Sequence, residues 1–249
     1  MSGPLYFRPS LVTAFLTLSL ALGCGGEGSR PAPGTAASRA PGGLSGALSA
    51  AAEAPGPSTE PVESELPTVV FLGDSLTAGY GLDQDQAYPA LIETRLAQLG
   101  HKARVVNAGV SGDTSAGGLS RLPWLLKQKP AVLFVELGAN DGLRGGSLAE
   151  TEKNLREIIR QSQAAGAKVV LAGMMLPPNY GHAYTQGFAE IFPRLAREYK
   201  TGLVPFLLEG VAAEPDLNQA DGIHPNATGQ EKVADNVLPK VVEALGGER

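Results

Sequence analysis

The chain has 249 residues and a net charge of −5, from 20 Lys and Arg against 25 Asp and Glu. A mildly acidic chain without a Lys/Arg cluster offers nothing to hold nucleic acid. One cysteine and three histidines exclude an internal disulfide and Cys-rich metal sites, and they leave little for a histidine metal site.

Arg8 precedes an apolar run from Leu11 to Leu22, about 12 residues, too short to span a bilayer comfortably. A basic start, a short apolar core and a small residue at its end predict a secretory signal over residues 1–23. Ala21-Leu22-Gly23-Cys24 resembles a bacterial lipobox, in which the cysteine becomes the first mature residue and carries lipid. Ordinary signal cleavage, with Cys24 as a free thiol, is the other reading. Gly25 follows where aspartate tends to mean inner-membrane retention. The resemblance therefore implies export and anchoring at the outer membrane of a Gram-negative cell, facing the periplasm or the surface. Residues 24–66 read as a tether. Of the 42 residues after Cys24, 31 are Gly, Ala, Pro, Ser or Thr, which bury too little apolar surface to offset ordering entropy.

From residue 67 to 249 strands and helices alternate. Thr68–Gly73 is a short apolar run, as expected of a buried parallel strand. Leu91, Ile92, Leu96 and Leu99 mark a helix that Gly100 ends. A strand over Arg104–Ala108, a helix over Leu122–Lys129 and a strand over Ala131–Leu137 come next. Leu148, Leu155, Ile158 and Ile159 mark a helix stopped near Gly166, before a strand at Lys168–Ala172. Phe188, Ile191, Leu195 and Tyr199 share a helix face, Leu203–Phe206 is a fifth strand, and Val233, Val237, Val241 and Leu245 mark the last helix. This order predicts a three-layer α/β/α domain with a central parallel five-stranded sheet, of flavodoxin-like type. Ligands then bind outside the carboxyl ends of the strands.

The residues after each strand are the candidates. Strand one runs into Gly73-Asp74-Ser75-Leu76, strand two into Asn107 to Thr114, and strand three into Gly138-Ala139-Asn140-Asp141. A late loop carries Asp221-Gly222-Ile223-His224-Pro225. A serine at a strand end is a candidate nucleophile if a base is near. His224 is the candidate base, because His101 and His182 sit in less polar settings. Asp221, three residues earlier, can fix its tautomer. The backbone N–H groups of Ser75 and Gly109 and the Asn140 amide are candidates for an oxyanion hole. Each taken singly also reads as an ordinary turn or loop cap. Asp74, Asp113, Asp141 and Asp221 invite a divalent metal; the preferred reading is that several of them hold loops by accepting backbone N–H bonds. The elbow G-x-S-x-G and the nucleotide-binding glycine patterns are absent.

These blocks resemble the GDSL, or SGNH, hydrolases, whose second name lists Ser, Gly, Asn and His. Ser75, Gly109, Asn140 and His224 stand in that order over roughly Thr68 to Leu245. The resemblance implies a Ser75, Asp221 and His224 triad, an oxyanion hole of Ser75, Gly109 and Asn140, support from Asp74 and Asp141, and no cofactor or metal. Ser111-Gly112-Asp113-Thr114-Ser115, Arg121-Leu122-Pro123, Val135 to Gly138, Asn140 to Gly145 and Asp221 to Asn226 are similar to the thioesterase, lysophospholipase and arylesterase branch. So is Leu176 to Gly181, a loop that borders the acyl site in that branch. The implied substrates are acyl esters of short or medium length, aryl esters, thioesters and lysophospholipids, with no obligate protein partner. Met174, Met175, Leu176 and Pro177 either line the acyl site or belong to the core at the sheet's end. A carbohydrate O-deacetylase and a non-catalytic cell-envelope binding protein are the alternatives.

Overall fold

The computed structural model describes residues 66–246. The predicted signal, Cys24 and all of the predicted tether but Leu66 lie outside the described residues.

In chain order the elements are β1 (Thr68–Gly73), α1 (Ser75–Ala78), α2 (Tyr88–Gln98), β2 (Arg104–Gly109), α3 (Ser115–Leu126), β3 (Val132–Glu136), α4 (Ala139–Leu143), α5 (Leu148–Ala164), β4 (Lys168–Ala172), α6 (His182–Tyr199), β5 (Gly202–Val204) and α7 (Ala227–Leu245). All five strands are parallel, in the order β2-β1-β3-β4-β5. Helices α2 and α7 pack together on one face, and α3, α5 and α6 pack in sequence on the other. The expected three layers are therefore present. Strands β1 and β3 are buried along their whole lengths, which explains their apolar runs Val69–Leu72 and Val132–Val135. Phe71 of β1 packs edge-on to Tyr88 of α2, with ring centroids 5.5 Å apart, and against Phe134 of β3 at 5.1 Å.

The bounds of α3 and β5 differ most from expectation. Helix α3 starts at Ser115 rather than Leu122, because Thr114 caps it by accepting the Gly117 N–H. Gly117 and Gly118 hide that start in the sequence, yet Gly118 is needed where Leu137 presses on the helix. Strand β5 stops at Val204 because Pro205 has no N–H for the ladder.

The chain leaves β1 for β2 on one side and reaches β3 on the other. This reversal opens a crevice over the end of β1. Gly73 is in register with both Gly109 and Glu136, so the segments after three strands start level with one another.

Candidate active site

Ser75 is the first residue of α1, directly beyond β1, and Asp74 caps that helix by accepting the Leu76 N–H at 3.0 Å. The short helix fixes the serine at the sheet edge. Ser75 Oγ lies 2.9 Å from His224 Nε2. On the other side of the ring, His224 Nδ1 lies 2.6 Å from Asp221 Oδ2. The second carboxylate oxygen, Oδ1, accepts the N–H groups of Ile223 and His224, both at 3.0 Å. The hydrogen bonds from the His224 ring and from these two N–H groups pull the Asp221 pKa down to about 2. Asp221 is thus an acceptor at neutral pH, which puts the imidazole proton on Nδ1 and leaves Nε2 free to accept from the serine. The Tyr80 ring covers the imidazole at 4.7 Å between centroids. The turn itself is closed by Gln219 N–H donating to His224 C=O at 2.8 Å, and Asn226 behind it caps α7.

Asn140 enters from α4. Its Nδ2 donates one hydrogen to Asp74 Oδ2 at 3.0 Å, which leaves a second N–H on the cavity that Asn140 lines. The expectation for Gly109 is corrected. Its N–H donates to Asn107 Oδ1 at 2.9 Å and is therefore occupied. Gly109 has no side chain because the backbone of Thr77 and Ala78 crosses it, where a Cβ would overlap Ala78 N. Of the glycines that follow β1's neighbour β2, it is Gly112, three residues on and at φ +79°, that lines the cavity. Among the described residues the N–H groups of Ser75 and Gly112 find no protein acceptor. Gly112 stands in the sequence within Ser111-Gly112-Asp113-Thr114, where no local pattern sets it apart from Gly109.

The four aspartates all accept backbone N–H groups. Asp74 takes Leu76, Asp113 takes Thr114, Asp141 takes Ser115 at 2.8 Å, and Asp221 takes Ile223 and His224. Asp141 also accepts Ser115 Oγ–H at 2.6 Å and so ties the start of α3 to α4. Arg121 joins Asp113 at 2.8 Å to the carbonyls of Gly73 and Ala108 at 2.9 and 2.6 Å, bracing the ends of β1 and β2. No group of three or more potential metal-ligating side chains occurs among the described residues.

Sequence reasoning missed Glu136, the last residue of β3, which is wholly buried behind the site. Its Oε2 accepts Asp74 N–H at 3.1 Å and Thr77 Oγ–H at 2.8 Å. Tyr88 Oη sits 2.7 Å from Thr77 Oγ1 and donates to it, since the Thr77 proton is already committed. Glu136 Oε1 has no partner among the described residues. Burial, then the charge of neighbouring Asp74, pushes the Glu136 carboxyl well above the ordinary carboxylate range. Burial also raises Asp74, but the N–H groups of Leu76 and Asn140 oppose that rise. Of the two carboxyls Glu136 is the more strongly raised, so it is the one that holds its proton to higher pH.

A cavity of about 630 Å³ opens beside Ser75. Its lining includes Met174, Met175, Leu176 and Pro177, together with Phe206 and Leu208. Met174 and Leu176 are also part of the core at the sheet's end, so both expected readings hold for them. Tyr180 Oη donates to Leu143 C=O at 2.8 Å, fastening the loop after β4 to α4.

A parallel sheet with a serine, histidine and aspartate in hydrogen-bonded line beside an apolar cavity is the architecture of a carboxylic ester hydrolase. The GDSL-like lipase/acylhydrolase family pattern matches residues 71–232. The chain is 50% identical over 179 residues to the esterase TesA of Pseudomonas aeruginosa, a match covering 72% of this chain and 89% of that one. It is 47% identical to thioesterase 1/protease 1/lysophospholipase L1 of Escherichia coli K12, covering 68% and 80%. A crystal structure of TesA superposes with a TM-score of 0.69 at 48% identity, covering 71% of this chain and 99% of that chain. The chain belongs to the GDSL-like lipase/acylhydrolase family and is a carboxylic ester hydrolase.

Proposed function

We propose that the enzyme cleaves esters and thioesters of fatty acids, aryl esters and lysophospholipids through an acyl-enzyme on Ser75. The observation that carries this reading is the unbroken line Ser75 Oγ, His224 Nε2, His224 Nδ1, Asp221 Oδ2, at 2.9 and 2.6 Å, beside an apolar cavity. His224 takes the hydroxyl proton as Ser75 Oγ bonds to the acyl carbon. Asp221 stabilises the imidazolium that forms. The oxyanion is held by the N–H groups of Ser75 and Gly112 and by the free amide hydrogen of Asn140, with Gly112 replacing the expected Gly109. The leaving alcohol or thiol departs with the proton from His224. Water then gives a proton to His224 as its oxygen bonds to the acyl carbon, and His224 returns that proton to Ser75 Oγ as the bond to the acyl carbon breaks and the acid leaves. No step draws on a metal or cofactor. Asp74 and Asp141 act indirectly, the first by orienting Asn140 and the second by fixing α4 against α3.

The cavity supports acyl chains over polar sugars. Lysophospholipids and fatty esters fit an exported enzyme better than acyl-CoA, and the lipobox-like Ala21 to Cys24 supports export with a lipid on Cys24. The test is hydrolysis of p-nitrophenyl esters from acetyl to palmitoyl, beside Ser75→Ala. Activity that vanishes in Ser75→Ala and peaks at intermediate chain length is expected. Acetyl-only activity would move the substrate to acetylated sugars, and equal rates in Ser75→Ala would overturn the mechanism.

A further inference from the structure

Eight large hydrophobic side chains stand exposed among the described residues. Leu66, Leu99 and Trp124 are scattered at the amino edge of the sheet, before β1, after α2 and in the last turn of α3. The other five, Tyr80, Val110, Leu143, Met175 and Ile223, are all at the carboxyl edge. Each comes from a different segment: after α1, after β2, the end of α4, after β4, and the turn before α7. Their exposure runs from 39% at Leu143 to 54% at Met175 and Ile223. Four of them line the cavity, and Val110 adjoins Ser111, which does so too. Single exposed hydrophobes are ordinary, whereas a ring of them around one opening marks an interaction surface.

We propose that this ring is a docking surface for a lipid aggregate, a bilayer or micelle of zwitterionic lipid that delivers substrate straight into the cavity. The inference rests on the ester-hydrolase reading and names where the enzyme meets its substrate. A second copy seated on the ring would close the cavity against substrate, while a lipid surface supplies it. Charge points to a zwitterionic surface rather than an anionic one. In the loops of this edge Arg144, whose Nη2 donates to Gly112 C=O at 3.1 Å, is outnumbered by the exposed Asp83, Asp85, Glu209, Glu214 and Asp216, an excess of negative charge that an anionic surface would repel. The chain outside the described residues permits the approach. The 42 residues from Gly25 to Leu66 span at most about 140–150 Å when extended. A domain of this size has a radius of gyration of about 16 Å. An anchor at Cys24 therefore allows the carboxyl edge to face the membrane, although the tether joins at the opposite edge.

The test uses residues 24–249 carrying Cys24→Ser, to exclude lipidation, and Ser75→Ala, to prevent hydrolysis. This protein is floated with dioleoylphosphatidylcholine vesicles. It is expected to rise with the vesicles and to stay bound in about 1 M NaCl, where exposed charges are screened. Val110→Ser with Met175→Gln should lower the bound fraction about tenfold, through loss of apolar area at the interface. Val110→Trp should raise it, and Trp124→Ser at the far edge should leave it unchanged. Melting temperature establishes that each variant is folded, and the gain at Val110→Trp does not depend on a disrupted fold. Failure of the parent protein to float, release by salt, or equal loss in Trp124→Ser would overturn the docking surface. The same chain with Ser75 restored is assayed on p-nitrophenyl acetate. Hydrolysis without flotation would overturn docking alone, and flotation without hydrolysis would overturn the ester-hydrolase reading alone.

Discussion

Glu136 and Asp74 share a buried site behind the serine, and burial raises the pKa of both, Glu136 the more strongly. Glu136 presents one oxygen to two donors, and its other oxygen has no partner among the described residues. Its pKa is raised above the ordinary 4.5, so above that pH the folded state holds a proton that the unfolded state has released. Stability from this group therefore falls as pH rises. Glu136→Gln keeps the shape and an acceptor for Asp74 N–H and Thr77. It is expected to retain activity and to raise the melting temperature more at pH 8 than at pH 5, about the ordinary carboxylate range. Equal shifts at both would contradict the assignment. Gly109, the last residue of β2, and Asn140 separate into fold and chemistry. Gly109→Ala should destabilise the fold by about 1–3 kcal/mol, because its Cβ meets backbone. Asn140→Ala should leave the fold intact and lower kcat about 10²–10³-fold. Melting curves and kinetics on one ester tell the two apart. Ser75, Asn140, Asp221 and His224 were legible because each stands in a distinctive polar block at a loop. The choice between Gly109 and Gly112 was not, because it depends on where the Asn107 side chain turns and on α1 crossing Gly109.

At the scale of elements, the site is a set of segment ends tied to one another. Asp141 holds the start of α3 to α4, Asn140 on α4 holds Asp74 before α1, and Tyr180 holds the loop after β4 to α4. The strands were legible from apolar runs and the long helices from their spacing. Helix α4 was hidden because Ala139 to Leu143 is too short to show a period, and the start of α3 was masked by two glycines that packing requires. Glu136 was equally hidden, since a glutamate ending a strand reads as a surface residue until its neighbours are known. The loop after β4 lines the cavity together with Ala212 and Ala213. Ala212→Phe fills part of that space, and the preferred p-nitrophenyl ester is expected to become shorter. Each lost methylene contact changes discrimination by about 1–3 kcal/mol. A profile of kcat/KM against chain length that does not move would place the acyl chain elsewhere.

For the whole molecule, the switch point between β2 and β3 puts every candidate group at one edge of the sheet, inside a ring of exposed hydrophobes. The Asp221 carboxylate, with its pKa near 2, is charged throughout the range in which the enzyme would work. Its contribution to stability is full above the ordinary value of 3.8 and is lost as pH falls through about 2. The fold class and ester chemistry were readable from sequence because strand order and block order agree. The mouth was not, because no linear pattern connects Tyr80, Val110, Leu143, Met175 and Ile223. The central claim is that acyl groups pass through Ser75. Its most direct test is intact-protein mass after mixing with a p-nitrophenyl ester and quenching in acid within one turnover. The account predicts a mass increase of one acyl group, mapped to the peptide containing Ser75 and absent in Ser75→Ala. Hydrolysis by the wild type with no acylated protein at any time, together with undiminished hydrolysis by Ser75→Ala, would contradict it.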